Sequence, residues 1–255
     1  MRSRCLVARI VMLILLMAVA PTSVARGAEI RVLCSTALKG VLEELVPTFE
    51  RTTSRTVLIQ YGTAASLTRR IEGGEPFDLA VLTPQSLDSL IAKGRIAVGT
   101  RTPIARSGMA LAMRPGARRL DIGTTDALKR ALLDAHSIAF AGEGAAGVFF
   151  KGLVQRLGIA EAVTSKSKVT DSGLLVGDAV VRGDAEIGVL PLSEILAIGG
   201  VEVLGTFPPD VQSYAVMVGG VSAGAKEGAA ATDLLRFITA PDALPVIRKK
   251  GMEPA

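Results

Sequence analysis

Glu29-Ile30-Arg31-Val32-Leu33-Cys34-Ser35-Thr36-Ala37-Leu38-Lys39-Gly40-Val41-Leu42-Glu43-Glu44-Leu45-Val46-Pro47-Thr48-Phe49-Glu50-Arg51 is the stretch from which the fold is read. Residues 30–33, with apolar Ile30, Val32 and Leu33, predict a strand. In residues 38–51 the apolar positions Leu38, Val41, Leu42, Leu45 and Phe49 recur at helical spacing on one face. Pro47 falls inside that pattern and predicts a kink or local break, because its ring removes one backbone donor. A β-rich segment follows at 56–61. A helix at 65–72 ends at Gly73-Gly74, a strand spans 78–82, and a helix over 84–93 is stopped by Gly94. This β-α-β-α-β-α order implies a parallel sheet covered on both faces.

Beyond it the pattern predicts a long strand at 104–113 and a helix at 126–133 capped by Thr124-Thr125. A strand at 137–140 precedes a helix at 144–157, and a further helix covers 173–182. A strand at 186–190 leads to a short helix at 192–198. Strands at 201–204 and 214–218, a long helix at 225–238 and a last helix at 241–250 complete the reading. So many β-α units exceed one small sheet. We expect an α/β fold of two lobes, each a mostly parallel sheet flanked by helices. Lobe 1 is expected from residues 29–105 and 211–255, and lobe 2 from 106–210. The chain would cross near residues 103–108 and return near 207–212, where Pro208-Pro209 breaks regular structure. Ligands of open α/β sheets bind beyond the carboxyl ends of the strands. In two lobes those ends share a cleft that closes by hinge motion.

Upstream, Arg2, Arg4 and Arg9 precede or border an apolar run over residues 10–20, and small residues follow. A basic start, a short apolar core and small residues before a cut predict a secretory signal peptide, removed after Ala25 or Ala28. The run is shorter than the roughly 20 residues a membrane span needs. The mature chain is therefore expected in the periplasm. Its charge changes with the cut. Removing the four arginines of residues 1–28 from the 29 Lys and Arg leaves 25 against 24 Asp and Glu, a net charge of +1. That balance gives no case for a nucleic-acid partner. Cys34 is the sole cysteine left, so no internal disulfide is possible.

Four strand-to-helix turns are small and polar: Cys34-Ser35-Thr36, Gly62-Thr63-Ala64-Ala65-Ser66, Gly142-Glu143-Gly144-Ala145-Ala146-Gly147 and Asp171-Ser172-Gly173. Free N–H groups and the helix dipole at such turns favour anions. Taken singly, each turn reads rather as ordinary helix capping than as a ligand site. Taken together they predict an anion cleft lined by Ser35, Thr36, Thr63, Ala146, Gly147, Ser172 and Gly173. Lys39 and Arg106 are the cations near enough to pair with a carboxylate. Nothing in the chain assembles a catalytic set. His136 is the one histidine, metal-ligand spacing is absent, and neither a Gly-x-Ser-x-Gly nor a P-loop occurs. Neither a metal nor another cofactor is expected. Cys34 reads as a buried small residue.

From Tyr61 to Leu79 the order Tyr-Gly-Thr-Ala-Ala-Ser-Leu-Thr-Arg-Arg-Ile-Glu-Gly-Gly-Glu-Pro-Phe-Asp-Leu resembles the periplasmic molybdate-binding proteins of ABC importers. Similar order recurs at Ala146-Gly147, at 180–188 and at Phe207-Pro208, so the resemblance covers residues 29–255. It implies the type II two-lobe periplasmic binding protein fold and a monomer that delivers a small anion to an importer permease. The ligand positions it implies are Ala37, Ala64, Ala146, the neighbourhood of Gly173, and Pro191. At Ala37, Ala64 and Pro191 the family carries a hydroxyl and this chain does not. Each lost donor costs about 1–3 kcal/mol in a dry cleft. The implied cargo is therefore a differently shaped anion, with an organic carboxylate a better fit than molybdate or tungstate. Periplasmic aconitate isomerase is similar to the same group. An isomerase acting on a tricarboxylate is the alternative, with Lys39, Glu143 and Asp171 as candidate bases. A sensory lobe pair without transport is a third reading.

Overall fold

The computed structural model describes residues 29–255, and the expected signal peptide lies outside them. The chain begins with β1 (Glu29–Ser35), a single 3-10 turn (Thr36–Leu38) and α1 (Lys39–Thr53). It continues as β2 (Thr56–Gly62), α2 (Ala64–Glu72), β3 (Leu79–Leu82) and α3 (Pro84–Ala92). The long strand β4 (Thr102–Met113) follows, then α4 (Thr125–Asp134), β5 (Ile138–Ala141), α5 (Ala145–Arg156) and α6 (Ala160–Thr164). Next come β6 (Ser167–Thr170), α7 (Gly173–Arg182), β7 (Ile187–Pro191), α8 (Leu192–Ile195) and β8 (Glu202–Thr206). The chain closes with β9 (Tyr214–Val221), α9 (Gly228–Thr239), a 3-10 turn (Pro241–Ala243) and α10 (Leu244–Lys249), which divide the single helix expected over 241–250, and β10 (Glu253–Pro254).

β4 serves two sheets. Its first half pairs antiparallel with β9, which pairs with β3, and β3, β1 and β2 run parallel. Its second half pairs antiparallel with β7 and β8, and β7, β5 and β6 run parallel. The switch in β4 falls at Met109, where the Gln212 amide adds two hydrogen bonds. Gln212 Oε1 accepts from Met109 N at 3.0 Å, and Gln212 Nε2 donates to Met109 O at 3.1 Å. Met109 N also donates to Ser213 O at 2.9 Å and Met109 O accepts from Phe207 N at 3.2 Å, so the buried backbone is satisfied where one sheet hands over to the other.

Both faces of the first sheet are covered, and the strands record it. Ile30, Val32 and Cys34 of β1 pack with Val41, Leu42 and Phe49 of α1, while Leu33 packs with Leu67, Ile71, Leu87 and Leu90 of α2 and α3. β3 is buried at all four positions, as a strand covered on both sides must be. The second sheet repeats the arrangement. Ile138 and Phe140 face Phe150 and Leu153 of α5, and Ala139 and Ala141 face Val176, Ala179 and Val180 of α7.

Two local expectations change. α1 runs unbroken through Pro47. Pro47 and Glu43 both lie on the exposed face, so the Glu43 carbonyl that loses its donor sits on the solvent side. The helix expected to reach residue 198 ends at Ile195, and α6, β6 and β10 are additional elements.

Candidate functional site

The strand ends of both sheets converge on one cleft. β1 delivers Ser35, Thr36 and Ala37, β2 delivers Thr63 and Ala64, and β3 delivers Thr83. From the other side come Gly144, Ala145 and Ala146 at the start of α5, Gly173 at the start of α7, and Pro191 and Glu194 from the β7–α8 junction. Ala215 and Met217 of β9 also line it. The empty space at the cleft is about 410 Å³ when the open solvent at its mouth is included.

Its electrostatics come from backbone and hydroxyls. Thr63 caps α2, its Oγ1 accepting from Ser66 N at 3.2 Å, and Thr83 and Gly144 precede α3 and α5. The N-termini of α2, α3, α5 and α7 all meet at the cleft, so donors and positive dipole ends point at one place. Ser35, Thr36 and Thr63 are buried, and no Lys, Arg or His is among the lining residues.

Glu194 is the residue that sequence reasoning missed. It lines the cleft while only 9% exposed. Thr36 Oγ1 donates to its Oε1 at 2.9 Å. Its other oxygen, Oε2, occupies the space beside Gly173 where a side chain would begin. A Cβ added at Gly173 would lie 1.7 Å from it. α8 is fixed in place by serines. Ser193 Oγ donates to Ala37 O at 2.8 Å, and Ser193 N donates to Ser107 Oγ at 3.0 Å. Burial pushes the Glu194 carboxyl up to about 7, against the opposing pull of the Thr36 hydroxyl. A carboxyl that changes charge near neutrality at a cleft is a recurrent mark of a functional group. No sequence signal marked it: Leu-Ser-Glu-Ile is an ordinary helical tetrapeptide, and its burial depends on Thr36, 158 residues away.

Of the positions read from sequence, Ser35, Thr36, Ala37, Thr63, Ala64, Ala146 and Gly173 are brought together in the cleft. Three are not among its lining residues. Lys39 is the first residue of α1, its Nζ pairing with Glu43 at 2.9 Å. Ser172 caps α7 through Leu175 N at 3.4 Å. Gly147 sits beneath the cleft, where a Cβ would be 1.9 Å from Ala141 O, so its role is close helix–strand approach. The candidate bases Lys39, Glu143 and Asp171 do not line the cleft. Glu143 instead meets Arg69 of α2 at 2.7 Å, an ion pair linking the two sides at the surface, and the guanidinium holds that carboxyl below its usual range. Arg106 pairs with Glu253 at 2.7 Å and lies 4.6 Å over the Tyr214 ring. His136 is exposed and pairs with Glu186 at 3.1 Å. Cys34 is fully buried, and burial raises its thiol well above the usual range. Among the described residues no group of three or more His, Cys, Asp or Glu is placed to hold a metal.

Residues 30–253 match the bacterial extracellular solute-binding protein family. The chain belongs to that family. Within it, this solute-binding protein is similar to the aconitate isomerase of Pseudomonas sp, with 29% identity over 229 residues, 88% of this chain and 87% of the relative. It is also similar to the molybdate-binding protein ModA of Escherichia coli K12, with 25% identity over 198 residues, 76% of this chain and 77% of that one. The solved periplasmic molybdate-binding protein of Azotobacter vinelandii superposes with a TM-score of 0.77 at 20% identity, covering 89% of this chain and 99% of that one. The fold is thus the two-lobe type II periplasmic binding protein fold of a ModA-like solute-binding family.

Proposed function

We propose that this protein is a periplasmic binding protein for a small anion, an oxyanion or an organic carboxylate, which it delivers to an ABC importer permease as a monomer. The observation that carries this reading is the convergence of four helix N-termini and three buried hydroxyl residues on one cleft without a basic side chain among the lining residues. Such a site binds negative charge through oriented N–H groups rather than a counter-ion. In this reading residues 29–105 and 211–255 make one lobe and 106–210 the other, with the ligand at Ser35, Thr36, Ala37, Thr63, Ala64, Ala146 and Gly173. Lys39, Gly147 and Ser172 support these turns from behind. Ala37, Ala64 and Pro191 offer no hydroxyl, which favours a carboxylate over a tetrahedral oxyanion. Purified mature protein should gain thermal stability with a small anion, by about 2.7 kcal/mol at one hundred times the dissociation constant. A panel of molybdate, sulfate, phosphate and di- and tricarboxylates that gave no shift would refute the reading.

A second reading has its own observation. Glu194 puts a titratable carboxyl against the cleft, and proton transfer next to a carboxylate needs such a group. The relative named aconitate isomerase supports testing it first on aconitate. Conversion between trans- and cis-aconitate followed by proton NMR is the assay. Absence of turnover with tight binding leaves the transport reading alone.

A further inference from the structure

We propose that Glu194 is a ligand-facing carboxyl that carries a proton in the complex, so that the cleft takes up its anion together with one proton. The proposal rests on the anion-binding reading and adds to it the chemical class of ligand: an anion with an oxygen that accepts a hydrogen bond from a neutral acid, as a carboxylate does.

The geometry divides the two carboxyl oxygens. Oε1 is occupied as an acceptor by the Thr36 hydroxyl at 2.9 Å. Oε2 lies against Gly173, and no hydrogen-bond partner for it occurs among the described residues. Gly173 both clears the space for Oε2 and begins α7, one of the helices whose N–H groups reach the cleft. An anion drawn there would meet Oε2. If Glu194 were ionised, two negative groups would share a site without a basic lining residue, and their repulsion would be screened little. Protonated, Oε2–H becomes one more donor among the N–H groups and hydroxyls, and replaces a hydroxyl missing at Ala37, Ala64 or Pro191.

The surrounding charges do not neutralise it. From α1, Lys39 pairs with Glu43, and Glu44 is held by Lys249 and Lys250. From β4, Arg106 pairs with Glu253. From α7, Arg182 pairs with Asp184 and Asp178 is exposed, and Glu202 of β8 is exposed as well. The 3-10 turn and β7 carry no charged residue. What shifts the proton affinity of Glu194 is its burial, tempered by Thr36.

If only the protonated form binds, the apparent dissociation constant is divided by the protonated fraction. Affinity then falls about tenfold per pH unit above neutrality and levels off below it. The test is titration calorimetry with trans-aconitate, tricarballylate and molybdate at pH 6, 7, 8 and 9, in buffers of different ionisation enthalpy, on the wild type and on Glu194→Gln. The expected result is uptake of close to one proton per ligand at pH 8 and above in the wild type, and none in E194Q, whose affinity no longer slopes with pH. Equal proton uptake in both proteins, or binding without uptake at pH 8 in the wild type, would overturn the proposal. If no probe bound the wild type, the anion-binding reading itself would fall. Infrared difference spectra of wild type against E194Q still decide the state of the carboxyl. An acid band present at pH 6 and lost by pH 8 supports the proposal, and an ionised group at pH 6 overturns it.

Discussion

Replacing Glu194 by Gln should stabilise the unliganded protein, and only above the ordinary carboxylate range. In the folded chain burial raises this carboxyl from 4.5 to about 7, while in the unfolded chain it titrates at the ordinary value. Between those two pH values the unfolded state has released a proton that the folded state still holds. The unfolded state therefore binds fewer protons, and stability falls as pH rises through the window. Below pH 4.5 the group contributes no penalty; above pH 7 the penalty is complete. At about 1.4 kcal/mol per pH unit the full penalty is about 3 kcal/mol. Glutamine keeps an oxygen to accept from Thr36 and has no charge to desolvate, so E194Q escapes this cost. For a chain of this size 3 kcal/mol moves Tm by roughly 6–12 °C. Urea or thermal denaturation of both proteins at half-unit intervals from pH 4 to 9 measures it. The difference between them isolates Glu194 from the other carboxylates. It should be near zero at pH 4, grow between 4.5 and 7, and stay level above. A difference independent of pH would refute the assignment of a buried, titrating carboxyl.

Gly147→Ala should destabilise by about 1–3 kcal/mol or more, because the new Cβ would lie 1.9 Å from Ala141 O and neither backbone can yield cheaply. Gly152→Ala, further along the same helix, meets nothing within 4 Å and should stabilise by about 0.5–1 kcal/mol, both read from urea midpoints. The Cys34 thiol should resist a disulfide reagent in native buffer and react on unfolding, since it is buried and its burial disfavours the thiolate; rapid native labelling would contradict that placement. Arg69→Ala removes the 2.7 Å pair with Glu143 that joins the two sides of the cleft. Both side chains are more than half exposed, so stability should stay the same while ligand dissociation, followed by stopped flow, speeds up and loses its salt dependence. An unchanged dissociation rate would mean that the pair does not hold the cleft shut.

Most of the layering was legible because its signal is local. A strand buried on both faces, such as Leu79–Leu82, must be an unbroken apolar run, and a helix on a sheet must show one apolar stripe. The polar turns before α2, α5 and α7 were legible for the same reason, since capping chemistry acts within four residues. β6, Ser167–Thr170, was not. It pairs on one side only, with β5, and its residues, none of them buried, carry no apolar alternation. Pro47 misled because the cost of a missing donor depends on whether water can reach the orphaned carbonyl, which is a property of the packed helix.

By itself, then, the sequence determined most of the strands and helices and where small polar turns end the strands, because those follow from side-chain period and capping within short windows. The site's chemistry was decided only in three dimensions. Lys39 was read as a ligand from its place in the chain, yet in the fold it pairs with Glu43, one turn along its own helix. Glu194 carries no mark in the sequence, and in the fold it is buried where a serine hydrogen bond holds α8 to the turn after β1, with its carboxyl between Thr36 and Gly173. Desolvation depends on every neighbour at once, and two of those neighbours, Thr36 and Gly173, lie far apart in the chain. No local window of sequence contains them.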